Sequence, residues 1–414
     1  MNFRRLIGLI SIALLTLSLR AFPQSADSKQ SEVAPQEHAP RQGLTIPFEL
    51  YDDLIFVPVR INSSGPRSFL LDTGASTSFL NETLADSLGL GPKRQHKAKI
   101  GTGEASTRLG FAKGVALSLP GLDLPAQTVA VVPLSEIESV LGRGVDGIVG
   151  ADLFKRYVVT IDYIARTVTL DDPKTFTYHG KGEAIPLRLS GNRPFFKASV
   201  TPVSGTPIEA EIIIDTGDDS TLAFHTPFVE KHNLRASNQK MVMHVSHGVS
   251  GESRTWRGRV NSFQVGRFVI DHPTVTFSEA TKGSEADRSY DGVLGGEILR
   301  RFSVTLDYSR HQMILETNAS FTDPYESDMS GVELAARGKD FKTIIVQSVR
   351  DGSPAVEAGI KQDDIIETVD NKAAGELGLE QIERMFRQDG SQYMLGVRRG
   401  KDFVQVTIKV RRLI

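Results

Sequence analysis

The chain has 414 residues, 40% of them hydrophobic and 24% charged, which is an ordinary globular composition with room for two or three domains. A formal net charge of −2 and a sequence pI near 6.5 give the protein no positive electrostatic potential that would attract nucleic acid or an anionic membrane surface. The absence of cysteine excludes a disulfide framework and a lipidated N-terminal cysteine, so hydrophobic cores must hold the domains together.

Residues 1–21 are predicted to be a signal peptide, because Arg4 and Arg5 precede an apolar run from Leu6 to Leu19 that is short for a membrane span. The sequence Leu19-Arg20-Ala21 is a poor cleavage signal, so an uncleaved anchor is the alternative and the only membrane association expected. Both interpretations predict export, to a bacterial periplasm or cell envelope or into the medium. Residues 22–43 are rich in Ser, Gln, Pro and Glu and are predicted to be a disordered linker.

An internal repeat organises the chain beyond the linker. The first copy contains Phe69-Leu70-Leu71-Asp72-Thr73-Gly74 and Asp146-Gly147-Ile148-Val149-Gly150. The second contains Ile212-Ile213-Ile214-Asp215-Thr216-Gly217 and Asp291-Gly292-Val293-Leu294-Gly295. The distances along the chain between equivalent motifs, 215 − 72 = 143 and 291 − 146 = 145 residues, are so similar that a chance match is excluded. Short Val, Ile, Phe and Thr runs between Gly and Pro residues predict that residues 44–175 and 180–317 form two small, mostly β lobes.

A third unit has no counterpart in the repeat and follows a polar connector at residues 318–330. Within residues 331–414, the pattern predicts a strand from Lys342 to Val349, a helix from Leu379 to Arg387 and two closing strands. The charges along this helix are most simply a solvated face. The predicted fold class is therefore mainly β, with two pseudo-symmetric lobes and a C-terminal α+β domain.

Each Asp-Thr-Gly turn places a carboxylate at the end of an apolar strand, where glycine lets the backbone approach closely. A single such turn could be only a β-turn, but pseudo-twofold pairing of the lobes would bring Asp72 and Asp215 together. Two adjacent carboxylates share a proton, so one is a base toward water and the other an acid toward a carbonyl. This chemistry needs no cofactor and no metal. The residues expected to support the pair are Thr73, Gly74, Thr216 and Gly217.

The sequence Leu71-Asp72-Thr73-Gly74-Ala75-Ser76, followed by Ile148-Val149-Gly150, resembles the aspartic proteases of the retropepsin-like type, and the second lobe repeats both elements. The resemblance covers roughly residues 44–317. It implies an acid-protease fold that hydrolyses peptide bonds with a water activated between the two aspartates. It also implies that the hydrophobic-Gly element runs beside each turn and that Gly-rich hairpins, here Ile100–Gly110 and Val245–Gly258, form flaps over the substrate. With both half-sites on one chain, we expect a monomer.

Residues 331–414 resemble a PDZ domain through Ser353-Pro354-Ala355, Gly359-Ile360 and Asp364-Ile365-Ile366, although Asp363 stands where glycine is usual. PDZ domains add an extended peptide to an exposed strand edge and often bind its C-terminal carboxylate in a backbone loop. The expected partners are a peptide or protein substrate in the cleft, and peptide C-termini or extended segments at this domain. The candidate loop is formed by Gly331, Val332, Glu333 and Leu334.

The second turn departs from the family pattern, because Asp218 and Asp219 follow Gly217 where a small residue is usual. A non-catalytic peptide-binding protein with a protease-like cleft is therefore the main alternative to a peptidase. A metal site formed by Asp215 with this acidic pair lacks supporting ligand spacing. A two-carboxylate glycosidase would need aromatic platforms, which one Trp and 7% aromatic residues do not favour.

The remaining polar and aromatic features of the second lobe have simple explanations. Trp256, the only tryptophan, lies in the second candidate flap and either covers the substrate or belongs to the lobe's core. Four histidines could suggest a metal site, but scattered surface or flap positions explain them more simply and they receive no role. These histidines are His225, His232, His244 and His247.

Overall fold

The computed structural model describes residues 43–236 and 240–414, so the predicted signal peptide and residues 22–42 of the predicted linker lie outside the described residues. All the described residues belong to one compact unit. Among them, no helix is both long enough and apolar enough to cross a membrane.

The first lobe consists of short strands rich in β-branched and aromatic residues, whose apolar side chains point into the core. Its first helix begins after Asn81, whose side chain accepts a hydrogen bond from the Thr83 N–H (3.2 Å). The strands are β1 (Leu44–Pro47), β2 (Glu49–Tyr51), β3 (Leu54–Ile61), β4 (Arg67–Leu71), β5 (Phe79–Asn81), β6 (Gln95–Ala98), β7 (Thr107–Val115), β8 (Leu117–Leu119), β9 (Leu122–Asp123), β10 (Gln127–Val132), β11 (Gly147–Val149), β12 (Val158–Asp162) and β13 (Thr167–Asp171). The helices are α1 (Glu82–Ser87), α2 (Ser135–Leu141) and α3 (Ala151–Phe154).

The second lobe repeats this succession of strands. Its strands are β14 (Glu183–Pro186), β15 (Arg188–Ser190), β16 (Arg193–Thr201), β17 (Ile208–Ile214), β18 (Leu222–Phe224), β19 (Val242–Gly248), β20 (Gly251–Arg259), β21 (Ser262–Val265), β22 (Phe268–Asp271), β23 (Thr274–Ser278), β24 (Gly292–Leu294), β25 (Phe302–Asp307) and β26 (Gln312–Thr317). The helices are α4 (Thr226–Lys231), α5 (Gly296–Leu299) and two 3-10 turns, Ser284–Ala286 and Tyr308–Arg310.

Each lobe forms a ten-stranded sheet, and the two sheets have the same strand order. The first runs β6-β7-β10-β5-β11-β4-β3-β8-β9 with β2 beside β3, and the second runs β19-β20-β23-β18-β24-β17-β16-β21-β22 with β15 beside β16. The duplication predicted from the sequence is thus confirmed as a duplicated fold, mainly β as expected.

A six-stranded sheet of order β1-β13-β12-β25-β26-β14 joins the lobes. At its centre β12 pairs with β25, and Thr160 lies opposite Thr305 with their hydroxyl oxygens 3.0 Å apart. These two residues differ by 305 − 160 = 145 positions, the offset of the later repeat elements. The pseudo-twofold axis therefore passes between them, and one hydrophobic core continues through both lobes.

The C-terminal domain has a separate hydrophobic core and a sheet of order β27-β28-β29-β31-β32, with β30 beside β29. The first of these strands lies at the edge of the sheet. The strands are β27 (Val332–Arg337), β28 (Thr343–Val349), β29 (Ile365–Val369), β30 (Lys372–Ala373), β31 (Gln392–Arg399) and β32 (Asp402–Lys409). The helices are α6 (Pro354–Glu357), α7 (Ala374–Leu377) and α8 (Leu379–Phe386).

Candidate active site

The threonines of the two Asp-Thr-Gly turns hold the lobes together by reciprocal hydrogen bonds. The Thr73 N–H donates to Thr216 Oγ1 and the Thr216 N–H donates to Thr73 Oγ1, both at 3.1 Å. The Thr73 hydroxyl donates to the Ile214 carbonyl and the Thr216 hydroxyl to the Leu71 carbonyl, both at 2.7 Å. Both threonines are fully buried, so these bonds are shielded from water and fix the turns relative to each other.

The crossing turns bring Asp72 and Asp215 into contact, and their side chains share a hydrogen bond. A Cβ at Gly74 would overlap the Asp215 carboxylate, and one at Gly217 would lie 2.5 Å from Asp72 Cγ. Glycine is therefore required on both sides for the carboxylates to approach. The structure brings together all six residues that the sequence singled out for this site.

The two carboxylates have unequal backbone surroundings. Asp72 Oδ1 accepts hydrogen bonds from the N–H groups of Gly74 (2.7 Å) and Ala75 (3.0 Å). Asp215 Oδ1 accepts one from Gly217 (2.9 Å), whereas the Asp218 N–H points to the Asp215 backbone carbonyl at 3.4 Å. The turn that leads into Asp218 and Asp219 therefore gives the Asp215 carboxylate one backbone hydrogen-bond donor fewer than the Asp72 carboxylate has.

The hydrogen bond that the two carboxyls share acts in opposite senses on their pKa values. Burial raises the pKa of both carboxyls, but the hydrogen bond from Asp215 and the two backbone donors oppose the rise at Asp72. Burial and the charge of Asp72 raise the pKa of Asp215 well above its ordinary value. The two carboxyls therefore titrate as a pair that shares one proton, and the pKa of Asp215 is raised further than that of Asp72.

The hydrophobic-Gly elements run beside the turns, as the resemblance implied. β11 pairs in parallel with β4, and β24 pairs in parallel with β17. The Asp72 N–H donates to the Val149 carbonyl and the Asp215 N–H to the Leu294 carbonyl, both at 3.0 Å. Each aspartate is therefore anchored at its backbone by the strand that ends in the hydrophobic-Gly element.

Two hairpins meet tip to tip from opposite lobes. Flap 1 is the β6–β7 hairpin and flap 2 is the β19–β20 hairpin, so each begins earlier in the chain than predicted. At the tips, Ser250 Oγ accepts from the Ile100 N–H (2.7 Å) and the Ser250 N–H donates to the Thr102 carbonyl (3.1 Å). Ser250 is 1% exposed, and nothing in the sequence pattern distinguished it. Trp256 packs against the large hydrophobic core, as expected if it belongs to the core of the lobe and does not cover the substrate.

The acidic pair of the second turn faces a cavity of about 240 Å³ where the C-terminal domain meets both lobes. Burial and the charge of Asp215 raise the pKa of Asp218 to about 6. Burial and the charge of Asp52 raise the pKa of Asp219 to about 7. Among the described residues, Asp215 and this pair are not close enough to one another to form the metal site considered from the sequence.

The prediction that the charges of the helix at Leu379–Arg387 form a solvated face is wrong in part, because this helix lies at the same junction. Glu380 accepts a hydrogen bond from the Asp52 N–H (3.2 Å), and Arg387 lies 3.3 Å from the Asp52 carboxylate. Burial and the charge of Asp52 raise the pKa of Glu383 well above its ordinary value. Part of this helix therefore packs against the first lobe, which helical periodicity alone could not reveal.

The four histidines of the second lobe lie in separate environments. His225 packs edge-on against Tyr290 with ring centroids 4.4 Å apart, and burial lowers its pKa to about 4. His232 packs against Phe228, whereas His244 and His247 both lie on β19. The structure does not gather them into one site.

Two family models match the lobes and the C-terminal domain. Residues 57–153 and 200–298 match the family model described as aspartyl protease, and residues 311–410 match that of the PDZ domain. The crystal structure of an aspartic proteinase from Irpex lacteus covers 68% of this chain and 99% of its own, with a TM-score of 0.44 and 14% identity. A probable CtpA-like serine protease from Staphylococcus haemolyticus is 26% identical over 166 residues, 40% of this chain. The chain spans 31% of that relative's length.

Two copies of one β lobe, joined through paired Asp-Thr-Gly turns, define a protein of the two-lobed acid-protease class. The chain contains two retropepsin-like aspartyl protease segments, one in each lobe, followed by a PDZ domain at its C-terminal end. The family matches support a protease in general terms, and peptide or protein binding with it.

Proposed function

We propose that this chain is an aspartic endopeptidase in which Asp72 is the general base and Asp215 the general acid. The observation that carries the proposal is the direct hydrogen bond between two carboxyls with unequal backbone donors. Such a pair holds a single proton over a wide pH range and presents one basic and one acidic oxygen to the same water.

The proposed reaction follows from this arrangement. Asp72 takes a proton from the water as its oxygen attacks the peptide carbonyl carbon, and Asp215 gives its proton to the carbonyl oxygen. In the tetrahedral diol, Asp215 takes back a hydroxyl proton while Asp72 gives its proton to the amide nitrogen. The C–N bond then breaks, leaving a carboxylic acid and an amine, with the pair in its starting state.

The relative from Staphylococcus haemolyticus is described as a serine protease, so nucleophilic catalysis by a serine is a second candidate mechanism. The hydroxyls closest to the carboxyl pair do not favour it, because Thr73 and Thr216 each donate to a buried backbone carbonyl. A hydroxyl held in that way has no base available to remove its proton. A non-catalytic peptide-binding protein is the remaining alternative, and the acidic pair after Gly217 is the feature that favours it.

We further propose that the PDZ domain binds peptide C-termini or extended segments, and that the protein works as a monomer outside the cytoplasm. The domain match supports the first proposal. Two half-sites on one chain support the second, and the Arg-flanked apolar run at the N-terminus supports export.

The test is cleavage of a peptide library by residues 43–414, with parallel samples containing a pepstatin-class inhibitor or a serine-directed fluorophosphonate. An aspartic endopeptidase gives internal cleavages that the pepstatin-class inhibitor suppresses and the fluorophosphonate does not. Sensitivity to the fluorophosphonate alone would favour serine chemistry. Peptide binding without any cleavage would favour the non-catalytic alternative.

A further inference from the structure

The edge strand of the PDZ domain is covered by the protease part of the same chain. Helix α2 of the first lobe lies along β27. The Ser139 hydroxyl donates to the Ala336 backbone carbonyl at 3.1 Å, and the Arg337 guanidinium donates to the same hydroxyl. An extended peptide would add to this edge, so α2 occupies the place of the ligand's backbone.

The end of α2 also fills the groove between β27 and α8. Gly142 follows α2 in a left-handed conformation, with φ of 69°. A Cβ placed on it would lie 3.4 Å from the Ala336 Cβ on β27 and 2.7 Å from the Leu379 Cβ on α8. This close approach leaves no room for a ligand side chain at that point while α2 is in place.

The other end of the groove remains open as part of the 240 Å³ cavity. Its PDZ side is lined by the apolar side chains of Val332, Leu334 and Phe386. Arg350 is next to them: its side chain is 14% exposed, and among the described residues its Nη1 has no hydrogen-bond partner and only a 3.8 Å contact with Asp328. Its backbone N–H donates to the Gly331 carbonyl (2.8 Å). An apolar pocket beside a guanidinium suits a C-terminal carboxylate with an apolar last residue.

The same PDZ surface holds flap 2. Glu333 accepts a hydrogen bond from the Val245 N–H (3.1 Å) and lies 3.3 Å from His244 Nδ1, and Arg350 Nε donates to the Met243 carbonyl (3.0 Å). Burial and the neighbouring Arg257 lower the pKa of His244 to about 4, so a neutral imidazole donates to Glu333. Three consecutive residues of β19 are therefore tied to the open end of the peptide-binding groove.

We propose that a peptide with a free C-terminal carboxylate and an apolar last residue binds this groove in competition with α2, and that its binding frees flap 2 and raises peptidase activity. The activation rests on the proposed function, whereas the competition does not. A peptide backbone along β27 and helix α2 cannot occupy the same edge, so the PDZ domain must separate from α2 when the peptide binds. Separation breaks the Glu333 and Arg350 contacts with β19, and the flap opens more easily for substrate.

The first experiment uses the Asp215→Asn variant, so that the probe is not cleaved, and a peptide ending in Ala-Leu-Val with a free carboxylate. The same peptide with an amidated C-terminus is the matched control. The free-acid peptide should bind and increase amide hydrogen exchange in residues 242–248 of flap 2, while the amide should do neither. Failure of the free acid to bind, or binding that leaves flap 2 exchange unchanged, would overturn the competition whether or not the chain is a peptidase.

The second experiment locks α2 onto the groove with a disulfide in the otherwise cysteine-free chain. The Cβ separation of 3.4 Å at Gly142 and Ala336 is close to the disulfide range, so the pair is Gly142→Cys with Ala336→Cys. The single Gly142→Cys variant controls for strain at the positive φ and for the 2.7 Å approach of the new Cβ to the Leu379 Cβ. In the reduced pair, the free-acid peptide should raise kcat/KM for a short amidated substrate about fivefold or more, and oxidation should abolish the increase. Equal activation of the oxidised and reduced protein would contradict the coupling.

Discussion

At the scale of single residues, the first aspartate turn is matched by a second one that has a different electrostatic environment. Asp72 has two backbone donors and Asp215 has one, and only the second turn continues into two further carboxylates. Asp218 lies close enough to disfavour ionisation of both dyad members. Asp219 instead interacts with Asp52 and with arginines of the junction. The two neighbouring acids therefore have different consequences for catalysis.

Asp218→Ala should move the alkaline limb of the kcat/KM pH profile toward acid. Burial and the charge of Asp215 raise the pKa of Asp218 to about 6, so Asp218 carries a negative charge at neutral pH. Its negative charge there opposes ionisation of Asp215, and removal of that charge lets the proton leave at lower pH. Asp219→Ser is the matched control and should leave the profile nearly unchanged. Overlapping profiles of Asp218→Ala and wild type would refute the electrostatic role of Asp218.

At the scale of elements, the two flaps contact each other and flap 2 contacts the PDZ domain. The flap tips bridge the lobes through Ser250, and flap 2 is also held by the PDZ domain. Such contacts at exposed hairpins are expected to be among the first to open. Under the proposed function, entry of substrate would depend on these contacts between elements that are distant in the sequence.

Ser250→Ala should raise KM by up to about thirtyfold while kcat changes less, because the variant loses two hydrogen bonds that contribute about 1 kcal/mol each. The variant loses two bonds to Ile100, one accepted from its N–H at 2.7 Å and one donated to its carbonyl at 2.9 Å. The closed pair of flaps is then less stable over bound substrate. Steady-state kinetics on one peptide substrate measure the effect, with the exposed Ser204→Ala as control. An unchanged KM would show that the tip contact does not contribute to substrate binding.

At the scale of the whole molecule, the sequence predicted the lobes well and their relation to the PDZ domain poorly. The Asp-Thr-Gly turns and hydrophobic-Gly strands were recognisable because strand, turn and glycine requirements are local and occur twice. The packing of α2 on Ala336 could not be recognised from the sequence, because it depends on two surfaces whose residues are nearly 200 positions apart. Glu383 and Arg387 were assigned to a solvated face for the same reason. Helical charge patterns do not reveal which face a neighbouring domain covers.

The junction between the lobes and the PDZ domain should weaken as the pH rises above about 4.5. Burial raises the pKa of Asp53 to about 6 and that of Glu383 well above its ordinary value. Between the unfolded and the folded pKa, the folded state binds more protons than the unfolded state, so the free energy of unfolding falls with rising pH. Glu383→Gln should reduce the fall in Tm between pH 5 and pH 8 as measured by calorimetry. The exposed Asp123→Asn is the control, and an equally steep fall in Glu383→Gln would contradict this account.

The most direct test of the shared carboxyl pair is kcat/KM of Asp72→Asn and Asp215→Asn on one peptide substrate, compared with the exposed Asp123→Asn control. Asparagine matches the carboxyl group in shape but cannot exchange its proton, so each dyad variant should lose at least about a thousandfold in activity while its circular dichroism and Tm stay close to wild type. Near wild-type activity in either dyad variant, with the fold intact, would contradict a mechanism in which both lobes supply one catalytic carboxyl each.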